Sequence, residues 1–207
     1  YITATATKKI GATAAETSEF SKCVLVNIAK PALTNGANWL LKDYLTTGPA
    51  DTTFGYGLPA DLLMCAWDPN QPGVKLPVVV VNSTWFMRAS YTTGTADLTL
   101  QYGFPGGKPV CGDWNGDGVD TPGLAANGNN SQKVWFLRNS NTTGVADNSF
   151  SFGPVSARPV VGDWNGDGSD TIGLVDALNG GGSRWYLRNT NNSGSVDYGA
   201  PTGLDLG

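Results

Sequence analysis

Two stretches of this 207-residue chain are spelled alike: Gly112-Asp113-Trp114-Asn115-Gly116-Asp117-Gly118 and Gly162-Asp163-Trp164-Asn165-Gly166-Asp167-Gly168. They lie fifty residues apart, and Asp120-Thr121 and Asp170-Thr171 follow at the same offset. A second signature keeps the period: Trp135-Phe136-Leu137-Arg138 recurs as Trp185-Tyr186-Leu187-Arg188 and, earlier, as Trp85-Phe86-Met87-Arg88. A looser copy begins at Trp39-Leu40-Leu41-Lys42. Nine residues behind each Trp stands a Gly (Gly48, Gly94, Gly144, Gly194), and three further an Asp (Asp51, Asp97, Asp147, Asp197). A second Gly follows (Gly57, Gly103, Gly153, Gly203). A chain with such a period has to be assembled from copies of one small unit, none of which buries its apolar face alone.

Each unit reads as strands. Leu98, Leu100 and Tyr102 alternate with polar residues, and Phe150 and Phe152 take the same slots one repeat later. That is the period of a strand with one buried face. A unit holds a hairpin led by Trp-x-Leu-Arg, a Pro-Val strand ending in Gly-Asp-Trp, a tight loop, and a closing apolar strand such as Thr171–Val175. Four short strands in about 50 residues match a propeller blade. The fold class expected is all-β, a propeller-like array of about 3.5–4 four-stranded blades. The units are 39–84, 85–134, 135–184 and a half repeat at 185–207. All seven Trp (39, 67, 85, 114, 135, 164, 185) occupy repeat positions, as indoles do when they form the core shared by neighbouring units.

Residues 1–38 lack the Trp signature and form a separate segment. Ile2–Thr7 and Glu19–Val26 read as strands. They resemble the final hairpin of immunoglobulin-like modules in large bacterial surface proteins, but two strands do not make a sandwich. The segment is therefore available to complete the open last blade. It can do so within the same chain, closing a ring, or in a neighbouring subunit, propagating head to tail. The chain starts at Tyr1, without an initiator Met or a signal peptide, and reads as a processed product of something longer. Its three cysteines (Cys23, Cys65, Cys111) allow one disulfide with one thiol left over, or one bond to a neighbouring chain, and the pairing stays open.

The acidic loops carry the clearest chemistry. Asp-x-Asn-x-Asp-Gly sets side-chain oxygens at positions one, three and five, a bend-permitting Gly at six, and a carbonyl at seven. Asp113, Asn115, Asp117 and Val119 make one such set; Asp163, Asn165, Asp167 and Ser169 make the other. Converging carboxylates repel one another unless a cation sits among them. The other reading is a metal-free turn in which Asn-Gly and Asp-Gly supply positive φ values. The unit is similar to the FG-GAP and VCBS-type repeats of integrin heads and secreted bacterial proteins, down to Phe152-Gly153 before the loop. The resemblance spans roughly residues 39–207 and implies a propeller with Ca2+ on its blade loops, two ions per chain. That family closes its loop with a carboxylate at the ninth position. Here Asp120 and Asp170 stand at the eighth, with Thr121 and Thr171 at the ninth. Either the loop tightens and these two acids ligate, or they cap backbone and the ion has fewer protein ligands. The first repeat, at Cys65–Pro72, lacks the ladder.

Other recurrences read as structural. Lys42, Arg88, Arg138 and Arg188 each precede Asp51, Asp97, Asp147 and Asp197 by nine residues, so cross-strand ion pairs are expected. Asn-x-Ser/Thr triplets at Asn82, Asn129, Asn141 and Asn191 follow from turn composition. A net charge of −4 without a basic stripe argues against a nucleic-acid partner. No apolar run approaches the length of a transmembrane segment. With no His and only two Glu the chain has no common proton shuttle, and a non-enzymatic protein is expected. Two functions stay open, both extracellular: a structural or adhesive subunit that self-assembles into a surface fibre, and a lectin-like module that binds surface glycans.

Overall fold

The computed structural model describes residues 7–10, 14–17, 32–43, 47–58, 61–178, 182–198 and 204–206. The chain divides into two compact units, Tyr1–Lys30 and Pro31–Gly207. In the first, β1 (Thr7–Ile10) pairs antiparallel with β2 (Ala14–Thr17), Thr7 opposite Thr17. The strands expected at Ile2–Thr7 (Thr7 apart) and Glu19–Val26, and with them Cys23, lie outside the described residues.

The second unit is all-β. Sheet I holds β3 (Ala32–Asn35), β4 (Asn38–Leu41) and β5 (Thr52–Gly55). Sheet II holds β6 (Asp61–Cys65), β7 (Leu76–Val81), β8 (Thr84–Met87) and β9 (Leu98–Gln101). Sheet III holds β10 (Lys108–Gly112), β11 (Thr121–Asn127), β12 (Gln132–Leu137) and β13 (Asn148–Pro154). Sheet IV holds β14 (Arg158–Gly162), β15 (Thr171–Ala177), β16 (Ser183–Leu187) and β17 (Leu204–Leu206). Each is an antiparallel meander in chain order. Among the described residues no helix is long and apolar enough to cross a membrane.

The sheets are out of phase with the Trp-led sequence units. Sheets II, III and IV each take their first two strands from the end of one unit and their last two from the start of the next, and sheet I takes β3 from ahead of the first unit. The cause is local. β7 turns into β8 through Asn82-Ser83, whose φ values of 48° and 68° are both positive, as a two-residue type I′ hairpin requires. The closing strand of one unit is thereby the hairpin partner of the next Trp strand. The final hairpin is consequently no half-blade awaiting completion: β16 and β17 finish sheet IV on β14 and β15. The sheet with three described strands is sheet I.

The register makes positions in different sheets comparable. Trp39 lies opposite Phe54, Trp85 opposite Leu100, and Trp135 opposite Phe150. These three indoles are 0–1% exposed. Their N–H groups donate to the carbonyls of Tyr56, Tyr102 and Phe152, the same position each time. Each Trp face packs on the opposite face of the next sheet: Trp39 with Val79 and Phe86, Trp85 with Leu124 and Phe136, Trp135 with Leu174 and Tyr186. Burial of one such indole contributes about 4–6 kcal/mol of gross apolar transfer. That places these three Trp residues in the intersheet core. The first strands are neighbours along the stack, β10 touching both β6 and β14. Across the first of these contacts runs a disulfide between Cys65 and Cys111, with Cα atoms 6.1 Å apart.

Candidate functional site

The two acidic loops fold alike. Asp113 turns its carboxylate inward, Oδ1 accepting the N–H of Gly116 (2.8 Å) and Asp117 (3.0 Å) and Oδ2 that of Gly118 (2.7 Å). Asp163 does the same with Gly166 (2.7 Å), Asp167 (3.1 Å) and Gly168 (2.9 Å). Those backbone donors, Gly168 foremost, hold the Asp163 carboxyl below its ordinary range. Asp117 accepts the Val119 N–H and the Asn115 amide, each at 2.9 Å; Asp167 accepts the Ser169 N–H and the Asn165 amide at the same distance. Gly116 and Gly118 sit at φ 73° and 87°, a backbone that a side chain would strain. Each carboxylate oxygen can accept twice, so Asp113 Oδ2 and both Asp117 oxygens keep capacity for a further partner. Asp113, Asn115 and Asp117 are thus brought together, as are Asp163, Asn165 and Asp167. An Asp–Asn–Asp oxygen set with a nearby carbonyl suits a hard cation of calcium's size.

Asp120 and Asp170 face elsewhere. Asp120 donates its N–H to the Ala66 carbonyl (2.9 Å) and accepts the Ala66 N–H on Oδ2 (2.8 Å). Asp170 repeats both bonds on Asp113, at 2.7 and 3.0 Å. Ala66 and Asp113 are equivalent, each one residue past the first strand of its sheet. The eighth-position acid is a clamp onto the preceding sheet. Burial, joined by the charges of Asp120 and Asp113, pushes the Asp170 carboxyl above its ordinary range.

Further joints recur beside the clamp. Lys75 stands in sheet II where Asp120 stands in sheet III, and its ammonium reaches Asp120 Oδ2 at 2.6 Å. Lys108 of β10 likewise pairs with Asp61 of β6. From the third-to-fourth-strand loops, Tyr91 Oη donates to Lys75 O, Asn141 Nδ2 to Asp120 O, and Asn191 Nδ2 to Asp170 O. Two of the four Asn-x-Ser/Thr amides are therefore engaged inside the fold. In the same loops Thr93 Oγ1 accepts the Gly55 N–H and Thr143 Oγ1 the Gln101 N–H, reaching back one sheet.

The expected cross-strand pairs form at Lys42–Asp51 (3.1 Å), Arg88–Asp97 (3.3 Å) and Arg188–Asp197 (3.4 Å). Arg138 instead donates to the carbonyls of Thr142 (2.7 Å) and Val145 (2.5 Å), while Asp147 accepts the Asn139 N–H. A Cβ on Gly94 or Gly144 would stand 2.5 or 2.6 Å from the guanidinium of Arg88 or Arg138, while Gly48 and Gly194 take positive φ values of 125° and 152°. In the first repeat, Asp68 accepts from Asn70 and Gln71, and the Gln71 amide chiefly depresses its carboxyl.

Cys65, Cys111 and Asp120 lie within 4.8 Å of one another, but the sulfurs are bonded to each other and the carboxylate is paired, so they make no ligand set. Apolar grooves of about 220 and 380 Å³ lie at the first two sheet junctions, lined by Tyr56, Val79 and Phe86 in one and Tyr102, Leu124 and Phe136 in the other. Burial raises the Tyr56 hydroxyl to about 12. The recurrence of Asp120 and Asp170 was legible, with backbone capping as one of its two readings, and so was room for one disulfide; the backbone partners, the part of Lys75 and the Cys65–Cys111 pairing were not. Comparison with family models, with curated proteins and with solved structures finds no match.

Proposed function

We propose that this chain is a non-enzymatic extracellular structural and adhesive protein, a propeller-like stack steadied by Ca2+ and assembling with copies of itself. One observation carries the reading: polar side chains that recur with the repeat, Asp120 and Asp170 and again Thr93 and Thr143, bond one sheet to the one before it, while Asn141 and Asn191 brace the loops of their own sheets. A chain whose repeated chemistry goes into joints is organised to bear load and to stack. The side-by-side first strands agree with blades set around an axis. The intersheet disulfide agrees with an oxidising compartment.

For the metal, Asp113, Asn115, Asp117 and the Val119 carbonyl would hold one Ca2+, and Asp163, Asn165, Asp167 and the Ser169 carbonyl a second. The ion would neutralise each acidic loop and tie its ends together. Asp120 and Asp170 are committed to the preceding sheet, so of the two ligand sets considered this reading takes the smaller. A glycan-binding face has less support, because Trp39, Trp85 and Trp135 are in the core. Sedimentation and electron microscopy of the 207-residue chain at rising concentration, with Ca2+ and with chelator, test the reading. Concentration-dependent assemblies are expected; a strict monomer throughout removes the self-assembly.

A further inference from the structure

Every internal junction of the stack joins the Trp-bearing face of one sheet to the opposite face of the next, and among the described residues one such face is left over at each end. At the far end, Trp185 and Leu187 of sheet IV are partly exposed, although their equivalents Trp39, Trp85, Trp135, Leu41, Met87 and Leu137 are all 0–1% exposed. Trp164 in the same sheet is also partly exposed, where Trp67 and Trp114 are buried. At the near end Leu33 of sheet I is 73% exposed, while the residues in its register position, Val79, Leu124 and Leu174, are 1%, 3% and 0% exposed. Leu40, paired opposite Leu33, continues that apolar strip.

We propose that these two faces bind each other between molecules, the Leu33–Leu40 face of a second copy of this chain seating on the Trp185–Leu187 face of the first. The occupant is argued from the three internal junctions. What covers a Trp face in this fold is the aliphatic and aromatic strip on the second and third strands of a like sheet, and among the described residues sheet I presents such a strip uncovered. Leu33 at 73% exposed shows that sheet I does not seat on sheet IV within one copy. The contact is heterologous, so it leaves one free face of each kind on every dimer and propagates. It rests on the self-assembly reading above but replaces strand exchange by residues 1–38 with face-to-face stacking.

Sedimentation velocity on the full chain tests it with Leu33→Asp, Leu187→Asp and their equimolar mixture. Wild type is expected to show species above the 21.6 kDa monomer that grow with concentration. Each variant alone is expected to stay monomeric, and the mixture to form a heterodimer and nothing larger, since each variant keeps one intact face. Should Leu187→Asp fail to fold by circular dichroism, Leu33→Asp, at an exposed position, decides alone. Leu33→Asp assembling like wild type overturns the face contact and leaves the self-assembly reading standing. A mixture that stays monomeric overturns the head-to-tail geometry. A monomeric wild type overturns both.

Discussion

Asp170 holds Asp113 by two bonds at once, its N–H donated to the Asp113 carbonyl and its carboxylate accepting the Asp113 N–H. Asp120 grips Ala66 in the same way one sheet earlier. The partner in both cases is backbone, so the joint works whether the gripped residue is an acid or an alanine. Sheet follows sheet through a joint that is indifferent to the side chain it meets.

Asp120→Ala removes the acceptor of a buried N–H and frees Lys75 from its partner. The lost bond at a residue 3% exposed is expected to lower stability by about 2–3 kcal/mol, read as a fall in the urea midpoint at unchanged slope. Lys75→Met removes a pair whose lysine is 47% exposed and should cost under about 1 kcal/mol. Equal losses in the two variants would show that the ion pair, and not the backbone grip, is the joint.

How much of this was readable beforehand differs by feature, for physical reasons. Trp39, Trp85 and Trp135 betray the repeat because the same indole fills the equivalent place in each intersheet core, and their spacing to the hairpin Asp is set by the hairpin's length. The phase of the sheets was hidden. It turns on whether Asn82-Ser83 or a later loop makes the tight turn, and both stretches are rich in turn formers. Asp120 reads as a loop acid because Asp117 is near it in sequence. Its actual partner, Ala66, lies 54 residues away and offers only backbone atoms, which leave no mark in composition. The Cys65–Cys111 pairing was hidden for the same reason, since it depends on which strands become neighbours.

The disulfide closes a span of 46 residues, for which chain-entropy arguments give about 4 kcal/mol. Cys111→Val places at that position the residue that sheet IV carries there, Val161, so packing changes little. Combined with Cys65→Ala it is expected to cost up to about 4 kcal/mol, and reductant should bring wild type to the same urea midpoint. A reductant effect on wild type far smaller than the effect of the double substitution would show that packing at Cys65, which is 0% exposed, outweighs the covalent bond.

Lys133 gives the chain an alkaline pH dependence. Its ammonium donates to Asn127 Oδ1 and Val155 O at 2.9 Å each, and burial pulls its pKa below the ordinary 10.5. A base whose folded pKa is depressed binds fewer protons folded than unfolded between the two values, so its contribution to stability rises with pH across that window. The stability of wild type relative to Lys133→Met should accordingly increase as pH climbs toward 10.5, measured by urea midpoints at a series of alkaline pH values. A difference that is flat or falls with pH would mean that the ammonium is as well solvated folded as unfolded.

Calcium should discriminate between the acids of each loop. Asp117→Asn with Asp167→Asn removes one charge from each loop while leaving an oxygen to accept the Val119 and Ser169 N–H groups. Asp120→Asn keeps an acceptor for the Ala66 N–H and touches no loop oxygen. Calorimetric titration of wild type is expected to give two sites per chain. At a free Ca2+ concentration 100 times the dissociation constant, each site adds about 2.7 kcal/mol to stability, seen as a rise in Tm that chelator reverses. The double variant at positions 117 and 167 is expected to lose that rise. Asp120→Asn is expected to keep it, with a lower baseline from the altered clamp. If Asp120→Asn instead abolishes one calcium site, the eighth-position carboxylate is a ligand after all and the clamp must open when the ion enters.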